Sequence, residues 1–192
     1  MTLDELLTKQ RNQYLTTFQL GLAQNQTEKS ATEIMLQVTA DQNRHLPEVF
    51  QINRFDLVNI TPEGRYNITE FNMDSDSLLN YDLHVFDING MELEITPFAW
   101  NGCELTFDQK PGTVYESWIR KWIDINDNKS ISTDSLQNVI HSVTYPQVDK
   151  NKWTTSIDFG SAPIEAFKEL VMILSKQGIS KVEVHSQSFR KS

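Results

Sequence analysis

Apolar residues recur at helical spacing at the start of the chain. Leu3, Leu7, Tyr14, Phe18 and Leu22 share one face, and Thr2 with Glu5 forms a T-x-x-E capping box ahead of them, so residues 3–24 are predicted as a helix. A second box, Ser30 with Glu33, precedes Ile34, Met35 and Val38 and predicts another helix ending near His45, because Pro47 bars its continuation. The pattern then changes to alternation. Phe55, Leu57, Tyr66 and Ile68 flank a turn from Pro62 to Gly64. Asn89-Gly90 predicts a two-residue hairpin in which Ile88 faces Met91, Phe86 faces Leu93 and His84 faces Ile95, with Glu92 and Glu94 on the wet side. Asn101-Gly102 predicts a second hairpin, with Trp100 opposite Cys103 and Phe98 opposite Leu105. The apolar phase shifts between Ile95 and Phe98, so a bulge or bend is expected at Pro97.

Beyond Pro111-Gly112 the helical period returns. Tyr115, Trp118, Ile119 and Trp122 form the stripe of a short helix, and a polar loop from Asp124 to Asp134 follows. Val139, His141, Val143 and Tyr145 alternate as a strand, and so do Trp153, Thr155, Ile157 and Phe159. Gly160-Ser161-Ala162-Pro163 then turns into a helix lined by Ile164, Phe167, Leu170, Val171 and Leu174. Gly178 caps that helix, and Val182 and Val184 make a last strand, which completes a β-α-β unit. The expected fold class is α+β in a single domain. Residues 1–46 are its helical N-terminal part, 50–110 an antiparallel β-meander, and 111–192 a helix, a strand and the β-α-β unit.

Composition adds a packed core: 39% of the 192 residues are hydrophobic, with ten Phe and four Trp. The net charge of −9 disfavours nucleic acid and anionic membranes and favours basic partners. No apolar run approaches the ~20 residues of a membrane helix. The opening MTLDELLTKQ lacks a signal-peptide pattern, and the lone Cys103 has no partner for an internal disulfide, so a cytoplasmic location is expected.

Candidate chemistry is sparse. Ser161 sits in D-F-G-S-A-P, which lacks the G-x-S-x-G of a hydrolase elbow, and reads as a helix-capping residue. Cys103 has no adjacent cation and reads as core. The histidines lack the i, i+4 spacing of a zinc helix, and no phosphate-binding glycine loop occurs. His141 as base, Asp158 as orienter and Ser161 as nucleophile would make a hydrolase, the enzymatic alternative. Asp124 to Ser132 follows the first nine positions of a calcium loop that would run on to Ser135. Lys129 replaces its glycine and Ser135 its bidentate glutamate, so no metal or cofactor is expected.

Three stretches together resemble small bacterial immunity proteins of polymorphic-toxin and contact-dependent growth-inhibition systems. They are Tyr115-x-x-Trp118-x-x-x-Trp122-x-Asp124, Val139-Ile-His141-Ser142, and Ile157-Asp158-Phe159-Gly160-Ser161-Ala162-Pro163, covering roughly residues 112–186. The resemblance implies a non-enzymatic protein that binds and neutralises a cognate toxin domain. Many such domains are basic nucleases, and complementary charge speeds their association. The expected partner surface is carboxylate-rich: Asp74, Asp76 and Asp82 before the first Asn-Gly turn, or Asp124, Asp127 and Asp134 beside Trp118 and Trp122. An acidic adaptor or secretion chaperone is the alternative binder, and it would need an exposed apolar groove.

Overall fold

A computed structural model describes residues 1–38, 45–73, 78–127 and 136–186. It is mixed α+β, with three helices and ten strands among those residues. Helix α1 (Leu3–Asn25) starts at the predicted box, in which the Thr2 hydroxyl accepts from Glu5 N–H and the Glu5 carboxylate accepts from Thr2 N–H. Its buried face carries Leu6, Leu7, Gln10, Tyr14, Phe18 and Gly21. Gly21 is there because Phe71 lies against it: a Cβ would stand 2.4 Å from that ring.

The second predicted helix is a strand. β1 (Ser30–Gln37) runs antiparallel to β2 (Ile52–Ile60), which pairs with β3 (Tyr66–Thr69) to form a three-stranded sheet. The residues of the expected box serve tertiary contacts instead. The Ser30 hydroxyl bonds Asn59 on β2, and Glu33, at φ +53°, sends its carboxylate into the interior. Local capping is worth ~1 kcal/mol, and long-range pairing overrides it. The N-terminal part thus holds one helix and one strand up to Gln37. The β2–β3 hairpin turns at residues 61–64, with Gly64 at φ +76°, as the sequence predicts.

β4 (His84–Ile88) and β5 (Met91–Ile95) form the predicted Asn-Gly hairpin in the predicted register. Asn89 and Gly90 both take positive φ, 54° and 83°, as a type I′ turn requires. The second Asn-Gly pair does not make a hairpin. Residues 100–102 form a single 3-10 turn, and β5 and β6 (Cys103–Phe107) are not neighbours. The last strand, β10 (Lys181–His185), lies between them, parallel to β5 and antiparallel to β6. The shift in apolar phase at Pro97 therefore marks the chain leaving the sheet, not a bulge within a meander. Backbone bonds from Thr96 N–H to Val184 and from Phe159 N–H to Trp100 pin the departing segment.

Helix α2 (Thr113–Trp122), β9 (Lys152–Asp158) and α3 (Ile164–Lys176) form where predicted. β9 and β10 are parallel but separated by β6, so the β-α-β unit is split. The alternating run at 139–145 yields only β7 (Ser142–Val143), which pairs with the outer edge of β9 beside β8 (Gln147–Asp149). The sheet order is β4-β5-β10-β6-β9-β7.

One face of this sheet is apolar. Leu93, Ile95, Val182, Val184, Leu105 and Ile157 bury against α2 and α3, with Trp100, Trp118, Phe98, Phe159 and Phe167 packed between. The residues that alternate with them are polar and form the opposite face, namely Glu92, Glu94, Lys181, Glu183, Glu104, Thr106, Thr154 and Ser156.

Candidate functional site

The strand β2 carries its polar residues inward. Arg54 and Asp56 are buried, whereas Phe55 between them is partly exposed. On β1, flanking pairs Thr32–Leu57 and Ile34–Phe55 set Glu33 opposite Asp56. Two carboxylates thus meet in the interior, an arrangement that repels unless a cation separates them.

The His141 imidazole lies between them. Its Nε2 lies 2.9 Å from Glu33 Oε1 and its Nδ1 lies 3.0 Å from Asp56 Oδ1. The second contact is an ion pair whose geometry falls short of an aligned hydrogen bond. Asp158 Oδ2 stands 3.9 Å from Nδ1. Glu33 is also held by Gln137 N–H, and Asp56 by Phe71 N–H and by the Tyr14 hydroxyl at 3.3 Å. The Phe18 ring, 6.1 Å away between centroids, closes another side, and Gly160 leaves room for the imidazole. A Cβ on Gly160 would come within 2.2 Å of the His141 ring, and its φ of +47° is a glycine conformation.

Burial alone would push the His141 imidazolium down. The charges of Asp158, Asp56 and Glu33 outweigh it and hold the group well above its ordinary value. Burial would raise Glu33, but the hydrogen bond and charge of His141 bring it below the usual carboxylate range. Asp158 is lifted by burial to about 6, against the pull of His141. Glu70 is lifted by burial and by Asp56 to about 7.

Arg54 forms a second buried centre on the same strand. Its guanidinium donates to the carbonyls of Ile123, Glu33 and Asp124 and to the side chains of Gln137 and Asp127. Each donating nitrogen has a partner, the condition under which a buried cation is tolerated.

The hydrolase candidates His141, Asp158 and Ser161 do come together. Their contacts differ from those of a nucleophilic triad. Both ring nitrogens of His141 face carboxylates. The Ser161 hydroxyl accepts from Val139 N–H at 3.2 Å and lies close enough to Glu33 to help lower that carboxyl. His141, Glu33 and Ser161 are all buried.

Three of the predicted partner carboxylates, Asp82, Asp124 and Asp127, are described. Asp74, Asp76 and Asp134 lie outside the described residues. Asp82 is exposed ahead of β4. Asp124 is buried and Asp127 is exposed, yet Asp127 is tied to Arg54 at 3.1 Å. Trp118 is a core residue whose indole N–H donates to Ala166 O, so it is no surface anchor. Trp122 is half-buried, donates to Glu169 and lies under Lys121 at 4.8 Å. The calcium-like loop is described only as far as Asp127. Among the described residues no cluster of three or more His, Cys, Asp or Glu side chains is arranged to hold a metal, and no helix is long and apolar enough to cross a membrane. Cys103 is buried, which pushes its thiol well up.

Sequence reasoning missed Glu33, Arg54 and Asp56. Glu33 reads as a capping residue, and the alternation of Phe55 and Leu57 draws attention away from Arg54 and Asp56, which are buried on the same strand as Leu57. The available signal was two opposite charges spaced i, i+2 in a strand that otherwise holds only apolar residues and two asparagines. No protein-family model matches the chain, and comparison with curated proteins and with solved structures gives no match.

Proposed function

We propose that this chain is an immunity-type protein that binds a basic toxin domain in the cytosol and neutralises it by occlusion, without catalysis. The observation that carries the reading is the polar face of the seven-stranded sheet. Asp87, Glu92, Glu94 and Glu183 lie on that face across β4, β5 and β10, while Glu104 on β6 shares the face but is buried. Lys181 sits among them, 2.8 Å from Glu92 and 2.7 Å from Glu94. A rigid sheet bearing an excess of carboxylates suits a flat basic surface, and such charge complementarity acts mainly on association rate and specificity. The sealed His141 cluster supports binding over chemistry, because general acid–base work needs reach to a substrate.

The test is co-expression with the product of the neighbouring reading frame, followed by kinetics of the purified pair. A growth-inhibiting neighbour rescued by this chain supports the reading. The triple variant Glu92→Gln, Glu94→Gln and Glu183→Gln should slow association at low salt about tenfold or more and flatten its salt dependence. Unchanged kinetics would remove the sheet face from the proposal. The adaptor reading has one specific feature in its favour. The β2–β3 hairpin exposes Ile60, Tyr66 and Ile68. Binding to an extended peptide but not to a folded domain would favour it.

A further inference from the structure

We propose that His141, as an imidazolium clamped between Glu33 and Asp56, is a proton-operated latch that fastens the three-stranded sheet and α1 onto the seven-stranded sheet. The inference stands apart from the partner reading above and does not require it.

The geometry makes residue 141 the junction of the two sheets. Its carbonyl accepts from Arg54 N–H on β2 at 2.8 Å, and its own N–H donates to Asp158 O on β9 at 2.8 Å. The imidazole then crosses to Glu33 on β1 and Asp56 on β2. Backbone and side chain of one residue therefore tie both sheets together.

The charged and titratable groups around the ring come from every packed element. β1 supplies Glu33, and β2 supplies Asp56 and, further off, Arg54, whose guanidinium is committed to carbonyls, Gln137 and Asp127. β9 supplies Asp158, and the segment after β3 supplies Glu70. α1 supplies Tyr14, bonded to Asp56, and Arg11, which binds the carbonyls of Ser161 and Ala162 and feels the charge of Glu33. Around the ring itself the carboxylates exceed the cations that could replace His141.

Removing the ring proton would leave Glu33, Asp56 and Asp158 facing a neutral imidazole in a water-poor site. Like charges there repel strongly, and the uncompensated burial of each is unfavourable. The response with least rearrangement is separation of β1 and β2 from the segment that carries His141. Asp158, 23% exposed at its side chain, offers the proton a route to solvent. Because the carboxylates raise His141 above its ordinary value, the clamp is closed at neutral pH. It is lost as pH rises through the folded value, with a limiting slope of about tenfold in the closing equilibrium per pH unit for one proton.

The test uses the full chain, labelled in its histidines. Ring-nitrogen NMR should show His141 doubly protonated at pH 7.5, where a histidine of ordinary pKa ~6.5 has mostly lost its second proton. Amide exchange, corrected for intrinsic rates, should rise in α1 and β1–β3 as His141 titrates, while β6, β9 and β10 stay protected. Glu33→Gln should shift both events together to lower pH, and His141→Gln, where it folds, should abolish the pH step. A singly protonated His141 at pH 7.5 would overturn the latch. Exchange rising equally in both sheets would overturn it too, as would an unmoved transition in Glu33→Gln.

Discussion

Glu33 and Asp56 stand across from each other on paired strands, both sealed from solvent, and a single imidazole separates their charges. The strand β1 reaches this arrangement through a residue at φ +53°, a conformation disfavoured for glutamate. Backbone strain of this kind costs of order 1–3 kcal/mol and persists where surrounding contacts over-determine it.

The neighbouring cation gives the first stability prediction. Arg54→Met removes a buried guanidinium and leaves Gln137, Asp127 and three carbonyls without their donor. Loss of one partner from a buried ionic network costs about 3–5 kcal/mol. Arg54→Lys should recover little of it, because an ammonium cannot reproduce the planar fork. Urea unfolding midpoints of the three proteins decide the matter.

Gly160→Ala should destabilise far more than Gly90→Ala. Both glycines take positive φ, at a cost of about 1 kcal/mol for alanine. At Gly160 the new Cβ also overlaps the His141 ring, whereas at Gly90 nothing lies within 4 Å. Overpacking adds about 1–3 kcal/mol, so the two variants should separate clearly in thermal unfolding.

Glu70 and Asp158 set a second pH response. Their folded values are raised to about 7 and about 6, above those of the unfolded chain. Stability from each is therefore complete below about pH 4 and falls as pH rises through 6 to 7. Glu70→Gln should raise stability only slightly at pH 5 and clearly more at pH 8. The Glu70 side chain is exposed, and after solvent screening the gain is at most about 1 kcal/mol. Denaturant midpoints at the two pH values give the comparison, and a gain at pH 5 alone would contradict it.

Cys103 reports on opening of the sheet. Its thiol lies in the central strand β6, fully buried and pushed well up by that burial. Alkylation should be undetectable on the time scale of minutes under native conditions and should follow the unfolding equilibrium as urea is added. Fast native labelling would show that β6 is accessible.

Legibility in the sequence follows the range of the interactions. The β4–β5 hairpin is readable residue by residue, because Asn89-Gly90 fixes both turn and register locally. The identical Asn101-Gly102 pair misleads, because β10 arrives from eighty residues away to claim both β5 and β6. Ser30 and Glu33 look like a helix start because their side-chain types serve equally well in a cross-strand bond and a buried ion pair. His141 and Asp158 stand out as candidates from sequence, but their true neighbours are hidden. Arg54 and Asp56 lie inward on a strand whose apolar residues suggest the opposite phase. Trp118 has core spacing and is core.

The position of β10 has a consequence for biosynthesis. As the chain leaves the ribosome, β4, β5, β6 and β9 are available well before residues 181–185, yet β5 and β6 share no hydrogen-bonded edge until that last strand slides between them. During that interval two strands bearing Leu93, Ile95, Cys103 and Leu105 present open edges side by side. That is the condition under which nascent sheets pair with the wrong neighbour or with another chain. A ribosome stalled before Lys181 would hold a chain unable to close its sheet, and quality control should recognise it as unfinished.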